Sequence, residues 1–407
     1  MIFFIFSGLE DCKYILTLAF TGDAIPHYMI RSILDSKGEK GILNAFYFVN
    51  KHLKSDAAFF NLETTISENP KPVKPYHFSV HHIFLSSIIK SGFTHYTVAN
   101  NHSLDYGEDG FIKTLSLIDR ERATGYIENG KFSYLLFEIN DFKISFLSFT
   151  TLSNYPVDNK IKIKPIYIEN IFSNKELLSL LKKLDKESDI LIIGVHWGDE
   201  YQLKPNIFQI KAAKYLIDNG ADIVWGTHPH VVQPFEIYNG KLILYSSGNL
   251  ISGQAYNIEN KESTDYHENY FYTKAIPLIK VYYDIDKNIS KLELIPFFQV
   301  NNYFVKNKDE TYFTSLIPAK YFVKENLNDL NFLFDNYMLK DSTNYYLYDA
   351  NLLSYIKNKI LDKNTIKNII IANNLLYKTF FNKFINNELN KSLQKIIETD
   401  YSYILSR

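Results

Sequence analysis

The chain has 407 residues, a formal net charge of −1 and a hydrophobic share of 46%, the balance of an ordinary globular protein with room for one large domain and a smaller one. Near-neutral charge without a basic stripe gives no footing for nucleic acid as a partner. A lone cysteine, Cys12, excludes an intrachain disulfide, and the apolar start from Met1 to Leu9 lacks a positive region and stops at Glu10, so neither a signal peptide nor a membrane span is expected and the expected location is cytoplasmic.

In chain order, Tyr14 to Thr21 reads as a buried strand that ends at Gly22-Asp23. His27 lies just beyond and reads as a solvated loop residue. A helix is predicted over Ile30 to Lys54, then a strand over Asp56 to Phe60 that ends at Asn61-Leu62-Glu63. His77, His81 and His82 precede an amphipathic helix from Ile83 to Ile89 and read as surface residues at its start. Phe93 to Ala99 is a strand ending at Asn100-Asn101-His102, with Asp105-Tyr106-Gly107 opening a helix to Arg122. Tyr134 to Asn140 and Lys143 to Phe149 read as a hairpin, and Asn174 to Lys186 as a helix.

Asp189 to Val195 is a strand ending at His196-Trp197-Gly198, followed by Glu200; Pro205 to Asn219 is a helix with Asn219-Gly220 as its stop. Ala221 to Trp225 is a strand ending at Gly226-Thr227-His228-Pro229-His230, where Pro229 is expected to hold Thr227-His228 extended. Leu242 to Gly248 ends at Asn249, whose amide suits holding a metal-bound histidine or the substrate. Ser252 to Tyr270 reads as a long loop able to cover the site. Two further strands, Ile276 to Asp284 and Ser290 to Val300, are expected to complete the second sheet. From about Pro318 to Arg407 the pattern is helical and fits a cap or an oligomerisation element, so a homo-oligomer is an expected partner state.

Alternating strands and helices argue for an α/β fold with mainly parallel sheets and helices outside. In such sheets ligands gather beyond the carboxyl ends of the strands. Five strand ends here carry Asp, Glu, Asn and His, hard oxygen and imidazole donors that suit Mn, Fe or Zn and not thiolate chemistry. Two histidines one residue apart can chelate one ion or serve two.

These blocks, in this order, resemble the CapA family of poly-γ-glutamate capsule biosynthesis proteins, whose fold is that of the calcineurin-like metallophosphoesterases. The matching residues are Gly22-Asp23, Asn61-Leu62-Glu63, Ala99-Asn100-Asn101-His102 with Asp105-Tyr106-Gly107, His196-Trp197-Gly198 with Glu200-Tyr201, His228-Pro229-His230, and Tyr245-Ser246-Ser247-Gly248-Asn249. The resemblance implies a four-layer α/β/β/α sandwich over residues 1–305, with 306–407 left as a helical extension. It also implies two divalent ions: Asp23 and His230 on the first, Glu63 bridging, and Asn101, His196 and His228 on the second. His102 stays free of metal as a general acid supported by Asp105. The implied activity is hydrolysis of a phosphoester or a γ-glutamyl-type amide in an anionic small-molecule or polymer substrate, by a metal-activated hydroxide. The alternative is a non-catalytic metal-binding component of a polymer synthesis or export complex.

Two departures bear on this. Many metallophosphoesterases carry a histidine two places after the first aspartate, and here that residue is Ile25. Ala123 to Gly130 stands where the family has a glycine-rich segment.

Overall fold

The computed structural model describes residues 15–70, 76–156, 162–254, 273–306, 309–318, 339–340 and 345–349; Cys12 lies outside them. The elements that build the sheets and their helical covers are β1 (Leu16–Ala24), α1 (Tyr28–Ala45), α2 (Tyr47–Leu53), β2 (Ala57–Leu62), α3 (Ile83–Lys90), β3 (His95–Thr97), α4 (Gly107–Leu117), β4 (Ala123–Thr124), β5 (Tyr134–Ile139) and β6 (Phe142–Thr150). They continue with α5 (Lys175–Glu187), β7 (Ile190–His196), α6 (Ile207–Asp218), β8 (Ile223–Thr227), β9 (Phe235–Tyr238), β10 (Lys241–Leu244), β11 (Asn249–Ile251), β12 (Ala275–Tyr283), β13 (Ile289–Lys306), β14 (Asp309–Pro318), β15 (Leu339–Lys340) and β16 (Tyr345–Asp349).

The fold is mixed α/β. One sheet runs β15-β16-β13-β12-β1-β2-β3-β4, with β11 also on β1 and β14 on β13; the other runs β9-β10-β8-β7-β6-β5. The strands that end at the predicted motifs pair in parallel within their sheets, β1 with β2 and β2 with β3 in the first, β6 with β7 and β7 with β8 in the second, so in each sheet their carboxyl ends lie along one edge.

Period-two alternation sorts side chains between the faces. Leu16, Leu18 and Phe20 of β1 join Phe142, Ile144 and Phe146 of β6, Ile190 and Ile192 of β7, and Trp225 of β8 in one buried cluster contributed by both sheets. Phe20 meets Trp225 at 5.9 Å and Phe59 meets Phe146 at 5.2 Å between ring centroids. The opposite face of the first sheet packs on α1 to α4, and that of the second on α5 and α6.

Local chemistry explains the element ends. Asn174 caps α5 by accepting from the Leu177 N–H at 2.9 Å. Asn206 and Gln209 form a reciprocal capping box on α6. Asn140 and Asp141, at φ 50° and 66°, make the left-handed turn that a tight β5–β6 hairpin requires.

Several expectations are corrected. The helix over Ile30 to Lys54 is interrupted twice: Gly38 takes φ 58° and kinks α1, and Phe46 separates α1 from α2. The pair β12 and β13 completes the first sheet and not the second: β12 lies antiparallel on β1 from Leu16 to Phe20, beside the place where β11 covers Asp23 and Ala24. The helical reading from residue 306 onward is overturned for the described segments. Asp309–Pro318, Leu339–Lys340 and Tyr345–Asp349 are strands, consistent with the Thr, Tyr and Phe content of Thr311-Tyr312-Phe313-Thr314 and Tyr345-Tyr346. The rest of that region, and most of the Ser252 to Tyr270 loop, lies outside the described residues. Ala123 to Gly130 holds β4, a break at Gly125 and the strand Tyr126–Glu128, which pairs with Lys131–Phe132 across Asn129-Gly130.

His95 supplies a pH-dependent element of the core between the sheets. Its ring stacks on Phe59 at 5.2 Å and on Phe137 at 4.3 Å. Burial, reinforced by the Arg122 charge, lowers its pKa from 6.5 to about 4. Because the folded value lies below the unfolded one, its contribution leaves stability untouched above about pH 6.5 and erodes it between about pH 6.5 and 4, by on the order of 3 kcal/mol. His95→Phe is expected to flatten that part of the curve, as measured by urea unfolding at about pH 7 and about pH 4.5. A variant as acid-sensitive as the wild type would exclude this role.

Candidate metal centre

The strand ends bring Asp23, Glu63, Asn101, His102, Asp105, His196, His228 and His230 into one cluster, every member of which is buried. Glu63 follows the end of β2 and stands at its middle, with no exposure. Three imidazole nitrogens face its Oε1: His196 Nε2 at 3.7 Å, His102 Nε2 at 3.9 Å and His230 Nε2 at 3.9 Å. These distances are too long for hydrogen bonds. A divalent ion with bonds of about 2.1 Å to nitrogen and oxygen spans such gaps.

Both Glu63 carboxylate oxygens and His228 Nδ1 are buried with no hydrogen-bond partner among the described residues. Leaving a carboxylate dry and unpaired is costly, so this donor set fits a metal ion. Ligand atoms of Asp23, Glu63 and His196 lie within 4.8 Å of one another, as do those of Glu63, His228 and His230. Glu63 is common to both groups, whereas His196 falls in with Asp23. Asn101 Oδ1 and His196 Nε2 are 2.9 Å apart, the separation of two atoms that share an ion at about a right angle.

Backbone geometry serves this convergence. Asp23 Oδ1 accepts from Asn61 Nδ2 at 2.7 Å, and its Oδ2 accepts from the His228 N–H at 3.0 Å. His228 and His230 both adopt left-handed backbone, with φ 98° and 56°. His228 is therefore not extended as Pro229 suggested, because its N–H is turned to Asp23. Tyr201, at φ 62°, donates its N–H to the Pro229 carbonyl at 2.8 Å and holds the turn from outside. Left-handed backbone in non-glycine residues costs of order 1–3 kcal/mol each and collects at functional sites. At Gly22 a side chain is impossible: a Cβ there would stand 1.8 Å from the Gly248 carbonyl oxygen.

The electrostatics of the cluster follow from burial and from the charges packed together in it. Burial, with the charges of Asp23, Glu200 and Asp105, raises Glu63 well above the usual carboxylate range. Burial and neighbouring imidazoles push His196 and His228 well below theirs, which keeps them neutral and able to ligate. Burial also acts to lower His230, but the hydrogen bond and charge of Asp23 outweigh it and raise that residue.

His102 is held apart by its own partner. Its Nδ1 lies 2.9 Å from Asp105 Oδ2, which also accepts the Phe78 N–H at 2.6 Å. His102 thus turns Nε2 toward Glu63 with a carboxylate behind it.

Other candidates sort plainly. His27 is not a solvated loop residue: its ring packs edge-on against Phe78 at 4.8 Å, and Nδ1 lies 3.2 Å from Ser252 Oγ. Burial lowers it to about 3. His77 meets the Tyr155 hydroxyl at 3.0 Å, outside the ligand groups. The rings of His81 and His82 lie 4.2 Å apart and tilted by 36° just before α3. Glu200 is exposed at the rim. Ile25 is buried. Sequence reasoning gave no role to Asn61, which reaches both Asp23 and His196 Nδ1, nor to Asn100, which donates to Asn61 Oδ1 at 3.1 Å. The one signal for them was an amide at the end of an otherwise apolar strand.

The family model described as bacterial capsule synthesis protein PGA_cap matches residues 17–254. The PGA biosynthesis protein CapA of Bacillus subtilis (strain 168) is 29% identical over 252 residues, covering 60% of this chain and 64% of that protein. The capsule biosynthesis protein CapA of Bacillus anthracis is 29% identical over 259 residues, covering 59% and 61%. The chain therefore spans less than two thirds of the length of these curated relatives. Among solved structures, a hypothetical protein from Thermus thermophilus aligns at 12% identity and a TM-score of 0.38, over 74% of this chain and 99% of that one. Since the family match covers more than half of the chain and takes in every cluster residue from Asp23 to His230, this protein belongs to the bacterial capsule synthesis protein PGA_cap family.

Proposed function

We propose that this chain is a metal-dependent hydrolase of metallophosphoesterase type, acting on a phosphoester or on a γ-glutamyl-type amide bond. The observation that carries the reading is the buried, unpartnered Glu63 carboxylate ringed by imidazole nitrogens. The matching architecture would be a four-layer α/β/β/α sandwich; its support is one cluster shared by both sheets and one on the helical side of each.

Asp23, Glu63, Asn101, His196, His228 and His230 would hold the metal, two ions of Mn, Fe or Zn with Glu63 shared. Such ions, when bound, lower the pKa of water and polarise the scissile group. His102 holds a proton at Nε2 for the leaving group, and Asp105 keeps the ring aimed and offsets its charge. Asn101 is itself steadied by donating to Asn154 Oδ1 at 3.2 Å. The names of the relatives link those proteins to capsule and PGA biosynthesis, which makes an anionic polymer the natural substrate class to test. Among the described residues no helix is long and apolar enough to cross a membrane.

A second reading is a non-catalytic metal-binding component of a poly-γ-glutamate or surface-polymer synthesis or export complex. Buried Ile25 favours it, since an apolar side chain there leaves one ligand fewer. The deciding experiment strips the metal, reloads Mn, Fe or Zn, and follows hydrolysis of a bis-aryl phosphodiester and of poly-γ-glutamate, with His102→Ala alongside. Turnover that requires metal is expected, falling sharply in His102→Ala on poly-γ-glutamate and only modestly on the aryl phosphodiester, whose phenolate leaves unaided. Stoichiometric metal without turnover on either substrate would favour the second reading.

A further inference from the structure

Asn249 is fully buried, and the parallel register of β1 with β11 sets it directly beside Asp23. Its amide nitrogen donates to Gln254 Oε1 at 3.0 Å and to the Thr273 carbonyl at 3.1 Å. A backbone carbonyl can only accept, so this contact dictates which end of the amide is nitrogen. The remaining end, Oδ1, therefore faces His230 Nδ1 at 3.1 Å as an acceptor. Asp23 Oδ2 stands 3.2 Å from the same nitrogen, a second acceptor. With two acceptors before it, Nδ1 carries a proton, and in the neutral ring Nε2 is then the bare nitrogen, on the side of Glu63.

We propose that Asn249 is a positioning residue that locks His230 in the Nδ1–H tautomer and so makes Nε2 its metal-binding atom. The proposal rests on the metal-centre reading for its consequence, but the tautomer itself does not depend on it. Asn249 acts through His230 and touches no reacting group. Its two donor bonds also join the residue before the 255–272 segment to the residue after it, so the lock is anchored on both flanks of that segment.

The test uses the full chain as wild type, Asn249→Leu and Gln254→Leu; the last removes an anchor of Asn249 without touching His230. Long-range nitrogen–proton correlation spectra of the histidine rings report the tautomer, in zinc-loaded protein and in metal-free protein at about pH 9, where imidazoles are neutral. Zinc affinity is read by competition with a chromogenic chelator. His230 is expected to be Nδ1–H in the wild type, with zinc affinity falling about 10- to 100-fold in Asn249→Leu and less than about threefold in Gln254→Leu. An Nε2–H tautomer in the wild type, or equal zinc losses in the two variants, would overturn the proposal. A wild type that shows Nδ1–H yet binds no zinc would retain the lock and remove the metal-centre reading instead.

Discussion

Replacing Glu63 by methionine is expected to abolish metal binding while leaving the metal-free protein at least as stable as the wild type. Most buried residues behave the other way, and the reason lies in the site. Glu63 has no exposure, neither of its oxygens has a hydrogen-bond partner among the described residues, and burial together with Asp23, Glu200 and Asp105 disfavours its ionised form. An apolar side chain of similar length removes that penalty, an effect of about 1–3 kcal/mol in favour of the metal-free fold. Glu63→Gln, nearly isosteric, separates loss of charge from change of shape. Thermal melts with and without metal check the claim. The wild type should gain about 2.7 kcal/mol at a metal concentration of about 100 times Kd, and the variants nothing. Catalysis should fall by several kcal/mol in barrier, about 10³-fold or more. A metal-free Glu63→Met that melts well below the wild type would show that the carboxylate serves the fold and not an ion.

Removing the proton donor gives the second large effect, with the opposite signature. His102→Ala is expected to lower turnover by about 10²- to 10⁴-fold while metal content stays at the wild-type level. The loss should grow with the basicity of the leaving group: modest for an aryl ester, whose phenolate leaves unaided, and large for an alkyl ester or an amide. Asp105→Asn should fall between the wild type and His102→Ala, because the oxygen held by the Phe78 N–H can still accept from His102 Nδ1 while the negative charge behind the ring is lost. A leaving-group series run on both variants decides this, since a merely structural role for His102 would slow all substrates alike.

Much of this site was legible in the chain, for a physical reason. Apolar β-branched runs that stop at Asp23, Glu63, Asn101, His196 and His228 are strands buried on both faces, and in parallel sheets such ends share an edge. The helices over Asn174 to Lys186 and Pro205 to Asn219 were legible too, the second down to its stop at Asn219-Gly220. What the chain concealed depends on edges and turns. Alternation tells which face of β12 is buried but not which sheet has an open edge for it, and that edge was on β1. Left-handed backbone at His228 and His230 runs against the intrinsic preference of both residues and follows from the pull of Asp23 and Tyr201 on the turn. His27 looked peripheral in sequence, yet its ring packs against Phe78, which in turn lies on His102 at 4.5 Å. The amides of Asn61 and Asn100 acquire meaning only once distant strands are laid side by side.

Equilibrium dialysis of the metal-stripped full chain against manganese or zinc, followed by elemental analysis, tests the metal centre most directly. The expected result is about two ions retained per wild-type chain and close to none in Glu63→Gln. A wild-type chain that retains no more metal than Glu63→Gln would contradict it.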